Sequence, residues 1–206
     1  MKWHRIWLSL LLIGISIAIS MLIGFGDNRD MMRSFSFSDF TLRGSQVFYQ
    51  NLDGVMASGQ WWRFLTPIFM HFSVMHIVFN LLWVWVIGTR IERQQGSVVL
   101  LLLVLISGIA SNLAQFLISG PMFGGMSGVV FALIAYVWVW DRFSCRPGFG
   151  FPPALMGFMV VWLALGYAGV LEGLGMGAVA NTAHLVGLLA GLLFLPLGRL
   201  LAGRVW

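Results

Sequence analysis

Ser127 and His184 are the residues of this chain best suited to chemistry. Each lies in a strongly apolar stretch, and 57 residues separate them. A hydroxyl with an imidazole base is the pairing that nucleophilic acyl transfer needs. Polar side chains at membrane depth are costly and usually functional. Gly124, Gly125 and Gly128 surround Ser127, so the backbone there can turn sharply and be approached closely. At a helix N-terminus, Ser127 has free N–H groups and a dipole that favour a developing oxyanion. Gly187 and Gly191 follow His184 on its own helical face, and small residues there let a second helix come close. The blander reading of Gly125-Met-Ser-Gly128 is helix packing alone.

Neither apolar stretch that carries Ser127 or His184 holds an Asp or Glu, so the expectation is a Ser–His dyad with no third member. Such a serine is a modest nucleophile, and slow turnover follows. His76 and Asn80 are spaced to share one helical face, and both are good oxyanion donors. With the Ser127 amide they would form an oxyanion hole; the other reading is an interhelical hydrogen-bonded pair. His71 is off that face and reads as a structural residue of the outer loop.

These residues need a frame that works in lipid. Of 206 residues, 59% are hydrophobic and only 9% charged, the composition of a polytopic membrane protein. The expected fold class is all-α, because backbone in lipid must satisfy its own hydrogen bonds. Six spans are predicted, about 6–23, 74–89, 97–118, 127–140, 153–170 and 181–200, in one membrane domain over 1–206 without a soluble domain. The stretch 127–140 is short, ~21 Å at ~1.5 Å per residue against a hydrocarbon core of ~30 Å. A short central helix would set Ser127 at the bottom of a cavity open to the outer side. The segment 24–73 is rich in aromatic anchors such as Phe35, Trp61 and Trp62, and should cap the bundle in the outer interface.

Charge sets the orientation. With both termini cytoplasmic, the inner side holds Lys2, Arg5, Arg90, Arg93, Arg142, Arg146, Arg199 and Arg204, eight of the twelve basic residues. The net charge of +5 therefore reports topology, and no aromatic-interleaved basic stripe points to nucleic acid. Cys145 is the only cysteine; it has no partner for a disulfide or a metal site and receives no role. His71 and His76 have the wrong spacing for a zinc protease, and no glutamate accompanies them. Gly24-Phe-Gly-Asp27 looks like an aspartyl-protease element, but no other span supplies a second Asp. Internal repeats and paired broken helices, the marks of a transporter, are absent. No cofactor and no metal are expected.

Five motifs in order resemble the rhomboid intramembrane serine proteases, most of all the bacterial GlpG-type members. They are Trp62-Arg63, His71 to Asn80, Glu92 with Gly96, Gly125-Met-Ser127-Gly128, and Ala183-His184 through Gly187 to Gly191. The resemblance implies Ser127 as nucleophile and His184 as general base. It implies oxyanion stabilisation by His76, Asn80 and the Ser127 amide, with support from Gly125, Gly128 and Gly187. It places Gln115 near the water supply. It makes 151–180 a gate, with Gly166, Gly169, Gly173, Gly175 and Gly177 allowing movement. Many members carry a tyrosine four residues after the serine, stacked on the histidine; here that residue is Phe131. A minimal six-helix core, without the N-terminal cytoplasmic domain of some members, is the expectation.

The implied activity is cleavage of transmembrane helices of other membrane proteins near their outer, periplasmic end, in the bacterial inner membrane. Substrate helices and the lipid bilayer are the expected partners, and the oligomeric state is open. The alternative is a non-catalytic rhomboid-like binder or quality-control adaptor on the same fold.

Overall fold

A computed structural model describes residues 6–144, 148–175 and 177–202 of the chain. Lys2, Arg5, Cys145, Arg146 and Arg204 lie outside the described residues. The long helices are α1 (Trp7–Leu22), α4 (Val74–Trp83), α6 (Ser97–Ser119), α7 (Ser127–Phe143), α8 (Ala154–Tyr167) and α10 (Asn181–Leu193). Short helices fill in around them: α2 (Arg29–Phe35), α3 (Leu52–Ala57), α5 (Thr89–Gln95), α9 (Val170–Gly173) and α11 (Leu195–Ala202). A π-helical turn, Val84–Gly88, joins α4 to α5 into one helix of 22 residues. Two helices among the described residues are long and apolar enough to cross a membrane, Val74–Gln95 and Ser97–Ser119. The bent pair α10–α11 makes a third.

The core is built around α7. Gly128 to Val137 are buried without a break, so this helix is covered on all sides. Its nearest neighbour is α10, whose Gly187 faces the Gly128 carbonyl and whose Gly191 faces the Ala132 carbonyl. A Cβ at either glycine would collide with that backbone, so only glycine permits the approach. By contrast α8 is lightly anchored: only Met156, Met159 and Gly166 of its 14 residues are buried.

Several expected boundaries are corrected: the span expected at 74–89 runs on to Gln95, and the one expected at 153–170 ends at Tyr167. The helix expected at 127–140 runs to Phe143 as α7 and has 17 residues, longer than α8. It extends because its polar end is satisfied. Asp141 accepts hydrogen bonds from the amides of Phe149 and Gly150, and Arg142 lies over the Trp138 ring. The expected single helix 181–200 breaks near Phe194 with a 46° bend. Pro196 follows, and proline offers no N–H to continue the ladder and crowds the preceding turn.

A two-stranded hairpin, β1 (Phe40–Arg43) with β2 (Gln46–Tyr49), was not anticipated in an all-α fold. It belongs to the 24–73 segment, which is a folded unit. Asn28 and Asn51 cap α2 and α3 through their side-chain oxygens. Arg63 is its buried clamp, donating to the carbonyls of Arg33 and Ser36 at 2.6 and 2.8 Å and to Gln60 Oε1 at 2.6 Å. Phe37 stacks on Phe116 of α6, centroids 4.4 Å apart, and so docks the unit on the bundle. At the opposite end, the Glu92 carboxylate accepts from the amides of Leu8 and Ser9 and from the hydroxyls of Ser9 and Ser97. One buried carboxylate thereby ties α1, α5 and α6 together.

Candidate active site

The half-buried Ser127 is the first residue of α7, preceded by Met126 without any side-chain cap. The first-turn amides are therefore not taken by a capping side chain. The approach to the serine is held by the segment before α4. The Gly125 amide donates to the Pro67 carbonyl at 3.0 Å, and Gly124 is packed against Met70. Gly125 has φ +116°, a conformation that favours glycine. A Cβ there would also lie 2.6 Å from His76 Nε2, so the imidazole rests directly on this glycine.

His184 Nε2 and Ser127 Oγ are 2.7 Å apart, each on its own helix. With the hydroxyl donating, Nε2 accepts and the neutral ring carries its proton on Nδ1. No residue among those described partners Nδ1. Phe131 supports the ring instead, lying 4.6 Å away and 10° from parallel. The backbone around His184 is fixed from α6: Gln115 Oε1 accepts the Ala183 amide at 3.0 Å. Gly128 makes room for the same turn, since a Cβ there would meet Ser111 Oγ at 2.7 Å and the Ala183 carbonyl at 3.1 Å. Gln115 thus stands against the start of α10, which bears His184.

His76 and Asn80 lie on α4, which starts where Ser73 Oγ accepts the His76 amide. Asn80 Nδ2 donates to the His76 carbonyl at 2.8 Å, one turn back, and its second N–H is a further donor. The structure brings His76, Gly125, Ser127, Gly128, Phe131, His184 and Gly187 into one region, with Gln115 behind it.

Two features were missed from the sequence. His71, read only as an outer-loop residue, is fully buried. Its Nε2 accepts the Met126 amide at 3.4 Å, while Nδ1 is 3.2 Å from both the Phe69 carbonyl and Ser20 Oγ. It therefore pins the residue that precedes Ser127. Burial, with a smaller effect of neighbouring His76, pushes His71 down to about 3. No spacing rule picks out such a loop histidine. The other feature is the stack of Phe79 on Trp162, 6.2 Å between centroids, which joins α4 to the lightly held α8. Gly166 lies against Asn181 Oδ1 and leaves no room for a Cβ. Gly169, Gly175 and Gly177 have positive φ, so the chain between α8 and α10 turns on glycines.

Comparison with known proteins adds an independent line. Residues 58–199 match the Rhomboid domain family, a span that includes both Ser127 and His184. The chain is similar to Rhomboid protease GlpG of Yersinia pestis (strain Pestoides F), 44% identical over 134 residues, which is 65% of this chain and 47% of that protein. Rhomboid protease GlpG of Serratia proteamaculans (strain 568) is 46% identical over 134 residues, with the same shares covered. The chain thus spans about half the length of the curated relatives it matches.

Proposed function

The chain belongs to the rhomboid family, and we propose that it is an intramembrane serine endopeptidase that works through Ser127 and His184. The observation that carries this reading is the 2.7 Å contact between Ser127 Oγ and His184 Nε2 inside an apolar bundle. Ser127 Oγ attacks the scissile carbonyl while His184 Nε2 takes its proton. The oxyanion forms at the N-terminus of α7, where backbone amides and the helix dipole favour negative charge. His76 and Asn80 add side-chain donors. Collapse breaks the C–N bond, and the imidazolium returns the proton to the leaving amine. Water, deprotonated by His184, then cleaves the acyl-enzyme and restores the serine.

The substrates are transmembrane helices of other membrane proteins, cut near their outer end. A helix must unwind there before a carbonyl can reach Ser127, and the apolar bundle around the site supports this reading. Six crossings make up the domain: α1, α4–α5, α6, α7, α8 and α10–α11. The termini are cytoplasmic and the membrane is the bacterial inner membrane. This orientation puts Arg90, Arg93, Arg142 and Arg199 inside and the hydrogen-bonded 24–73 unit outside. The lightly anchored α8 is the gate.

Fluorophosphonate labelling of folded protein, with the adduct mapped by mass spectrometry, tests the site. The expected result is one adduct on Ser127, lost in Ser127→Ala and strongly slowed in His184→Ala. Absence of any adduct on folded protein would instead favour the non-catalytic binder.

A further inference from the structure

A small cleft lies between the 24–73 unit and the chain that leads to Ser127. Its volume is about 290 Å³, and Met32, Phe40, Leu42, Phe72 and Met122 give it apolar walls. Arg29 is the one charged residue of its lining. Met32 and Phe40 are buried, while Met122 is 45% exposed, so a bulky apolar side chain can enter past Met122. Phe72 ties the cleft to the proposed active site. A Cβ on Gly26 would lie 3.2 Å from Phe72 Cδ1, and one on Gly124 would lie 3.1 Å from Phe72 Cζ. Met122 itself stands five residues before Ser127. Five extended residues span at most about 18 Å. An unwound polypeptide has the same reach, so a side chain within about five residues of the scissile bond can occupy the cleft.

The other arginines of the 24–73 unit are committed. Arg33 pairs with Asp39 at 2.8 Å and with Asp30 at 3.9 Å, Arg43 lies over the Phe48 ring, and Arg63 donates to carbonyls. Arg29 is exposed, and among the described residues its side chain has no hydrogen bond, ion pair or ring contact. Its acidic neighbours in sequence, Asp27 and Asp30, make no ion pair with it. As the first residue of α2 it also gains nothing from the helix dipole, which disfavours a cation there. Its charge is therefore available to a ligand.

We propose that Arg29 is a specificity-determining residue, which pairs with a substrate carboxylate next to a bulky apolar side chain seated in the cleft. The proposal rests on the proteolytic reading for the nature of its ligand, an unwound substrate segment. Apolar walls with one cation and no acid favour that pair of side chains over a basic or wholly polar sequence. A guanidinium meets a carboxylate through two parallel N–H···O bonds. At an exposed position such a pair gives a modest preference, roughly threefold to fivefold in affinity.

The test is binding, measured on the purified full chain carrying Ser127→Ala in neutral detergent. The probes are fluorescent single-span reporters that differ only beside one leucine at the outer end of the helix, where Asp, Asn or Lys is placed. The Asp reporter should bind roughly threefold to fivefold tighter than the Asn reporter, and the Lys reporter weakest. Adding Arg29→Gln should abolish the difference, and Arg29→Glu should reverse it in favour of Lys. Arg43→Gln, elsewhere on the same unit, should leave it intact. A reporter with serine in place of the leucine should bind more weakly to every variant. Equal binding of the Asp and Asn reporters, or a preference that survives Arg29→Gln, overturns the role of Arg29. A serine reporter bound as tightly as the leucine one overturns the cleft as the seat of the apolar side chain. Thermal unfolding checks that each variant is folded. Because Ser127 is already removed, the binding preference stands or falls apart from any protease activity.

Discussion

The Phe131 ring lies almost parallel to the His184 imidazole, 10° apart with centroids 4.6 Å distant. A flat apolar partner thus holds the imidazole where a hydrogen-bonding carboxylate would hold it in a triad. Nδ1 has no partner among the described residues, so ring packing carries the orientation. Phe131→Ala should lower kcat on the order of 10²-fold, because misplacement of a catalytic group by about 1 Å costs that much. Phe131→Tyr keeps the ring and should stay near the parent rate. Steady-state kinetics on one reporter substrate decides, and equal rates for Ala and Phe would contradict the argument.

His71 gives a pH dependence of stability. Burial lowers it from 6.5 to about 3 in the folded protein. The unfolded chain therefore binds a proton at higher pH than the folded one. The stability contributed by neutral His71 is complete above about pH 6.5 and is lost progressively as pH falls toward about 3. His71→Gln removes the titration and keeps hydrogen-bonding capacity. Its unfolding midpoint, followed in detergent from about pH 7 to about pH 4, should fall less steeply than that of the parent. Parallel slopes would show that His71 is not the titrating group.

The contact of Gly187 with the Gly128 carbonyl predicts strong intolerance. Gly187→Ala should cost about 3 kcal/mol or prevent folding, as overpacking against fixed backbone does. Gly157→Ala is the matched comparison, since nothing lies within 4 Å of a Cβ there. It should be neutral or stabilising by up to about 1 kcal/mol, the usual gain over glycine in a helix. Unfolding of both variants in the same detergent measures the difference.

Glu92 predicts a loss at the far end of the bundle. Its carboxylate receives four hydrogen bonds, two from backbone amides at the start of α1. Glu92→Gln replaces an acceptor oxygen by a donor and removes the charge. A loss of about 2–3 kcal/mol is expected, against about 1 kcal/mol for Ser97→Ala. The reverse order in thermal unfolding would contradict the central role of the carboxylate.

Much of this arrangement was readable from the sequence because its causes are local. Ser73 caps α4 at Val74, and the glycine-flanked Ser127 opens α7. The apolar runs mark the helices, and glycine spacing after His184 marks the closest packing. What was not readable depends on contacts between distant segments. The length of α7 depends on Asp141 meeting amides eight and nine residues later. The hairpin Phe40–Tyr49 is only four residues per strand, too short for a period to stand out from its aromatic surroundings. The hold of His71 on Met126 joins positions 55 apart. Glycines in the expected gate were read as hinges, yet Gly166 serves the contact with Asn181.

The central claim is tested most directly by cleavage of a single-span reporter by purified protein in liposomes, with the cut site mapped by mass spectrometry. The parent should cut the reporter helix near its outer end, and Ser127→Ala and His184→Ala, both folded, should not. Cleavage that survives in folded Ser127→Ala, or no cleavage by folded parent on any helix tried, would contradict it.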